Sequence, residues 1–222
     1  MSTQGQYKSA ADCPAVIPVF PLPGALLLPR GQMPLNIFEP RYLAMIDDAL
    51  RTERIVGMIQ PDAEAGGTPM VPRLYRVGCA GRISQFAETG DGRYLVSLTG
   101  ISRFRVESEL ATPSAYRRCQ VSYDAFAVDF DARAGEEAVD REGVLRTLRD
   151  FVQANELQVD WAGIDEAPNE ALVNALCMMS PFGVREKQAM LEAVDLKTRA
   201  EVLIAVTEME LARSNGSEST LQ

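Results

Sequence analysis

Apolar residues recur with two different periods along this chain, and the change falls near residue 130. From residue 16 to about 126 the apolar runs are short and strand-like. Segments 16–22, 25–28 and 35–38 read as extended, with prolines at edges or corners. Glu39-Pro40-Arg41 then opens a helix, because proline suits the first helical turn. Tyr42, Leu43, Ile46 and Leu50 recur at helical spacing and carry it to about Arg51. Segment 55–60 is a strand, and 62–72, with Gly66-Gly67 and two prolines, is a loop. Runs 74–88 and 93–110 are two long strands joined by Thr89-Gly90-Asp91-Gly92, whose Asp-Gly pair favours a tight hairpin turn. In the second arm Tyr94, Val96 and Leu98 face one way, and Leu95, Ser97 and Thr99 the other. Gly78, Gly81 and Gly100 interrupt these arms, as bulges or close backbone approaches do when a sheet curls towards a barrel. Segment 119–126 closes the strand region.

Beyond Asp129 the period becomes helical. Val144, Leu145, Leu148, Phe151 and Val152 form a stripe that predicts a helix over 136–155. A second helix starts at Pro168, carries Leu172, Val173, Leu176 and Cys177, and is broken by Ser180-Pro181-Phe182-Gly183. A third spans 184–193. Asp195 N-caps a fourth that runs to about Arg213 and buries Leu196, Leu203, Val206 and Met209. The expected organisation is a flexible N-terminus (1–13), a β-rich lobe (14–128), a helical lobe (129–213) and a disordered tail (214–222), an α+β chain. The pattern leaves open whether the lobes are separate or packed as one unit.

Composition matters mainly for what it excludes. The chain has no histidine, so Ser-His and Cys-His couples and His-based metal sites are ruled out. Cys13, Cys79, Cys119 and Cys177 are too scattered for zinc or redox motifs. The last three read as small buried apolar residues, and Cys13 as exposed. No cofactor or metal is expected. Paired carboxylates such as Asp47-Asp48 and Glu136-Glu137 diverge on a helix and read as solvated faces. The formal charge is −9, with 31 acidic against 22 basic residues, which disfavours a grip on phosphate backbones. The uncharged run 13–29 is denied a helix by five prolines, so neither a signal core nor a membrane span is expected, and the reading is cytoplasmic.

Four separated blocks carry a resemblance to a known family. They are PVFPLPGALLLPRGQMPLNIFEPRYLAMIDDAL (18–50), RIVGMIQP (54–61), VGCAGRISQF (77–86) with DGRYLVSLTGISRFRV (91–106), and EKQAMLEA (186–193) leading into RAEVLIAVTEMELA (199–212). Over about residues 16–213 the chain resembles the Lon protease N-terminal domain, and its third block looks most like the free-standing bacterial proteins of that family. The resemblance implies a PUA-like β-pseudo-barrel followed by a helical bundle. It also implies a non-catalytic role in binding polypeptide, as an adaptor or chaperone-like factor linked to ATP-dependent proteolysis. The implied partners are an unfolded or extended polypeptide, a protease or adaptor protein, or a second copy of the chain. The chain has no G-x-x-x-x-G-K-[ST] loop for ATP. Of its three lysines, Lys8 lies in the N-terminus, while Lys187 and Lys197 are expected on charged helix faces, so none suits a Ser-Lys couple.

Several segments are candidates for binding. The proline-rich apolar run containing Phe20, Leu22, Leu26, Leu28, Ile37 and Phe38 is part core and part candidate groove or strand edge for extended peptide. Arg93 and Tyr94 sit at a hairpin tip, where binding loops often lie. Glu39, Arg41 and Tyr42 form either a partner contact or a structural corner fixed by an ion pair; the corner is preferred, because helix starts leave backbone groups that need partners. Arg103, Phe104 and Arg105 offer a cationic-aromatic surface for an RNA-binding alternative. Strand alternation instead turns Phe104 inward and leaves both arginines solvated. Docking of one specific folded partner is the remaining alternative.

Overall fold

The computed structural model describes residues 7–68 and 71–218. Among the described residues eight strands are present: β1 (Val16–Pro21), β2 (Gln32–Ile37), β3 (Ile55–Pro61), β4 (Gly67–Thr68), β5 (Val71–Pro72), β6 (Leu74–Glu88), β7 (Tyr94–Glu109) and β8 (Arg117–Ser122). Six of them form one sheet in the order β2-β7-β6-β3-β1-β8, and a further β7–β8 pairing closes five strands into a barrel. β1 runs parallel to β3, and the other ladders are antiparallel. β4 and β5 make a small hairpin inside the segment expected to be a loop, and residues 69 and 70 lie outside the described residues.

Closure depends on glycine at close approaches. A Cβ on Gly78 would lie 2.5 Å from the Phe104 ring, and one on Gly100 would lie 2.0 Å from the Leu28 carbonyl oxygen. The first lets Phe104 fill the barrel beside Ile17, Val19 and Ile59. The second lets the chain entering β2 run against β7, where the Arg30 N–H donates to the Gly100 carbonyl at 2.8 Å.

β2 pairs with β7 from Gln32↔Thr99 to Ile37↔Tyr94 and has no strand on its other side among the described residues. Its side chains alternate, with Gln32, Pro34 and Asn36 exposed and Met33, Leu35 and Ile37 turned inward. Pro34 is tolerated there because the side of an edge strand away from the ladder needs no amide donor.

The helices are α1 (Pro40–Arg51), α2 (Arg141–Ala154), α3 (Trp161–Glu166), α4 (Asn169–Met179), α5 (Val184–Glu192) and α6 (Leu196–Glu218). Asp195 caps α6 as expected, accepting from the Thr198 N–H at 2.7 Å. The stretch 136–155 is not one helix. A 3-10 turn at Glu136–Ala138 precedes α2, which starts afresh where the Asp140 carboxylate accepts from the Gly143 N–H at 2.9 Å. α3 was not legible, because six residues carry too little period. At the chain ends, residues 1–6 and 219–222 lie outside the described residues, while 214–218 continue α6. Residues 7–13 are held rather than loose: the Asp12 carboxylate closes a 3-10 turn onto Ser9, and the buried Tyr7 hydroxyl accepts from Arg82 at 3.0 Å.

The lobes form one unit. A single apolar core runs from Phe20, Leu27 and Met58 of the barrel to Val173, Cys177 and Leu203 of the helices. Arg103 belongs to this junction and corrects the expectation of a solvated arginine. It is 1% exposed, with its guanidinium on Asp129 at 2.8 and 2.9 Å and on the carbonyls of Leu191 and Ala193. The cause is a second layer. The 3-10 segment Asp124–Phe130 and the end of α5 cover the outer face of β7, so Ile101, Ser102, Arg103 and Phe104 are all buried. Arg105, past that cover, is exposed.

Candidate functional site

The proline-rich start of the chain builds a groove of about 440 Å³ on the barrel. One wall is the end of β1 and the lip after it, Pro21, Leu22 and Pro23. The other is the free edge of β2, from Pro34 to Ile37, followed by Phe38. The first turn of α1 closes one end, and Pro61 and Pro72 line the groove from β3 and β5. Five of its lining residues are prolines, so its walls offer rings and carbonyl oxygens but few amide donors.

The floor is aromatic. Phe20 and Tyr42 pack with ring centroids 4.2 Å apart and planes at 43°. The Arg41 guanidinium sits 4.5 Å from the Tyr42 ring centroid and pairs with Glu39 at 2.9 Å. Burial pushes the Tyr42 hydroxyl above its ordinary pKa, partly opposed by Arg41. At the far end Arg117 grips Glu109 with two bonds of 2.6 and 2.5 Å and donates to the Pro72 carbonyl at 2.7 Å, fixing the β5 wall. The charges lining the groove are therefore each paired, and the surface open to a ligand is mainly apolar. Phe38 is 63% exposed at its mouth, and Val71 is exposed beside Pro72.

Of the residues singled out from sequence, Phe20, Leu22, Ile37, Phe38, Glu39, Arg41 and Tyr42 meet in this groove. Leu26 and Leu28 do not; both are fully buried in the shared core. Arg93 and Tyr94 are elsewhere. Arg93 pairs with Asp91 at the hairpin tip, and the Tyr94 hydroxyl donates to Asp47 on α1 at 3.0 Å. The segment 62–72, whose glycines and prolines make it a candidate second wall on flexibility grounds, does supply Pro72, whereas sequence reading missed Pro61 and Arg117, which no local period marks.

Potential nucleophiles are subdued. Burial pushes the Cys13 and Cys177 thiols up to about 12 and Cys119 to about 11, and it raises Cys79 further. Cys13 is half-buried against the barrel core rather than exposed. Lys187, expected on a charged helix face, is buried, because α5 turns it onto the Gly24 carbonyl, beside Gln188, which accepts from Gln60. Among the described residues no cluster of His, Cys, Asp and Glu is placed to hold a metal ion, and no helix is long and apolar enough to cross a membrane.

Solved structures share this architecture. The Lon N-terminal domain protein from Xanthomonas campestris aligns with a TM-score of 0.59 and 23% identity over 86% of this chain and 97% of that one. The N-terminal domain of a Mycobacterium avium complex Lon protease aligns with a TM-score of 0.64 and 22% identity over 87% and 98%. The fold is thus the α+β arrangement of these Lon N-terminal domains, a closed five-strand barrel followed by a helical bundle. Sequence comparison narrows the class. The model of the ATP-dependent protease La (LON) substrate-binding domain matches residues 16–207, and the chain belongs to that family. Similar curated proteins include a Lon protease of Anaeromyxobacter dehalogenans, 27% identical over 87% of this chain, and Lon protease 2 of Sorangium cellulosum, 30% identical over 88%. This chain spans about a quarter of their length, 23% and 25% respectively.

Proposed function

We propose that this chain is a non-catalytic polypeptide-binding module that captures extended apolar segments and acts as an adaptor or chaperone-like factor in ATP-dependent proteolysis. The observation that carries the reading is the groove between Leu22 and Phe38, mainly apolar and floored by the Phe20 and Tyr42 rings. Family membership supports a substrate-binding role. The burial of Arg103 and Phe104 leaves Arg105 alone of the cationic-aromatic surface on which RNA binding would have relied. The protonated thiols and the carbonyl-bound Lys187 support a role without nucleophilic chemistry.

The test is fluorescence anisotropy of a labelled, permanently unfolded protein titrated with this chain, with the native form as control and a repeat at high salt. The expected result is selective, salt-insensitive binding that is weakened by Leu22→Ser and Phe38→Ser. Equal binding to both forms, or none, would overturn it in favour of docking on one folded partner.

A further inference from the structure

Two buried cations, Arg199 and Lys187, form no ion pair with a carboxylate among the described residues; Arg199 bonds the Met190 carbonyl and the Asn174 side chain, at 3.0 Å each, within the helical lobe. Lys187 on α5 is 7% exposed, and its ammonium donates to the Gly24 carbonyl at 2.9 Å and the Met178 carbonyl at 3.2 Å. Taking an ammonium out of water is costly even when hydrogen bonds replace the hydration, and burial lowers its pKa. An apolar side chain of similar length would fill the space without that cost. What the charge adds is a link between two carbonyls on otherwise separate parts of the molecule.

Gly24 ends the lip of the groove, directly after Pro23. Its φ is +73°, and a Cβ placed there would meet nothing within 4 Å. Leu22, Ala25 and Leu26 on either side pack on or in the core, so open space is confined to Gly24 itself. Polar tethers hold it on both sides, since its N–H donates to the Gln60 side chain at 3.1 Å while its carbonyl accepts from Lys187. Met178 lies in the last turn of α4, where unpaired carbonyls and the negative end of the helix dipole attract a cation. Its neighbour Met179 is 82% exposed.

We propose that Lys187 is a positioning residue for the groove, tying its lip at Gly24 to the end of α4 so that the opening of the groove follows the position of that helix. The proposal rests on the reading of the groove as the capture site. A lip ordered before binding spares the ligand the entropy of ordering it. With the tether cut, the turn keeps the Gln60 bond and the Ala25-to-Leu22 and Leu22-to-Ile59 backbone bonds, but loses its link to α4 and samples wider openings.

The experiment uses Lys187→Met, which keeps the length and removes the charge. Hydrogen exchange of the unliganded protein, followed by mass spectrometry, is expected to show faster exchange across residues 20–26 than in the unaltered chain. Affinity for the labelled unfolded protein is expected to fall about tenfold or more, the scale of a hydrogen bond to a charged group. Ile204→Ala, in the helical bundle away from the groove, serves as a control for lost stability and is expected to leave both readouts unchanged. If Lys187→Met leaves exchange across 20–26 unaltered, or moves it no more than the control does, the proposal falls. That arm needs no ligand, so it decides the tether even if capture itself fails. Should Lys187→Met not fold, the unaltered chain still decides it. Adding the unfolded protein is expected to slow exchange across 176–190 together with 20–26, and protection of 20–26 alone would overturn the coupling.

Discussion

Phe20 of β1 and Tyr42 of α1 pack with ring centroids 4.2 Å apart, so the floor of the groove is also the joint between the barrel and its first helix. Phe20→Ala removes a core ring and is expected to cost about 3–5 kcal/mol. Urea denaturation would read this as a lowered midpoint with an unchanged slope. A loss below about 1 kcal/mol would mean that the floor is not structural.

Phe38 makes the opposite case. It is exposed at the mouth and supports little of the core. Phe38→Ser is expected to leave stability within about 0.5 kcal/mol while weakening capture of an unfolded chain severalfold. Parallel urea and anisotropy titrations separate the two effects, and a stability loss matching the affinity loss would contradict the assignment.

Asp129 accepts from both the backbone N–H and the guanidinium of Arg103. Asp129→Ala strands a buried cation and an amide, and is expected to cost about 3–5 kcal/mol. Asp129→Asn keeps one acceptor oxygen and is expected to cost less. Chemical denaturation of the two variants gives the order, and a reversed order would refute this account of the junction.

Alkaline pH should weaken the fold through its thiols. Their ordinary pKa of 9.0 is raised by burial to about 11 at Cys119 and about 12 at Cys13 and Cys177. A folded-state pKa above the unfolded one gives stability that is complete below pH 9.0 and lost as pH climbs towards 11 and 12. Lys187 and Arg199, shifted down by burial, act in the opposite direction, while buried tyrosines such as Tyr123, shifted up, add to the four thiols. The urea midpoint in reducing buffer is expected to fall from about pH 9 upward, and Cys177→Ala should make that fall shallower. A midpoint flat through this range would show that the thiols do not titrate on unfolding.

What was legible in the sequence followed local rules. Glu39-Pro40-Arg41 marks the start of α1 because proline has few other comfortable positions, and Gly78 and Gly100 mark close approaches because nothing larger fits. Alternation failed at Arg103, where a second layer covers β7 and buries four consecutive residues, so the period that should expose one in two disappears. It failed again at Lys187, whose acceptors Gly24 and Met178 lie far away and nearby in the chain respectively and are backbone atoms without a side-chain signature. The groove was half legible. Its β1 and β2 walls come from one continuous stretch, whereas Pro61, Pro72 and Arg117 join it only through barrel closure.

The placement of Pro34 has a consequence for crowded solutions of this protein. A bare strand edge is a template on which copies of a chain stack into fibres. With proline at the middle of β2, the outward row of amide donors is broken, so a neighbouring copy cannot add a full strand there and pass the edge on. The groove beside β2 therefore opens to solvent next to an edge that resists strand-by-strand stacking.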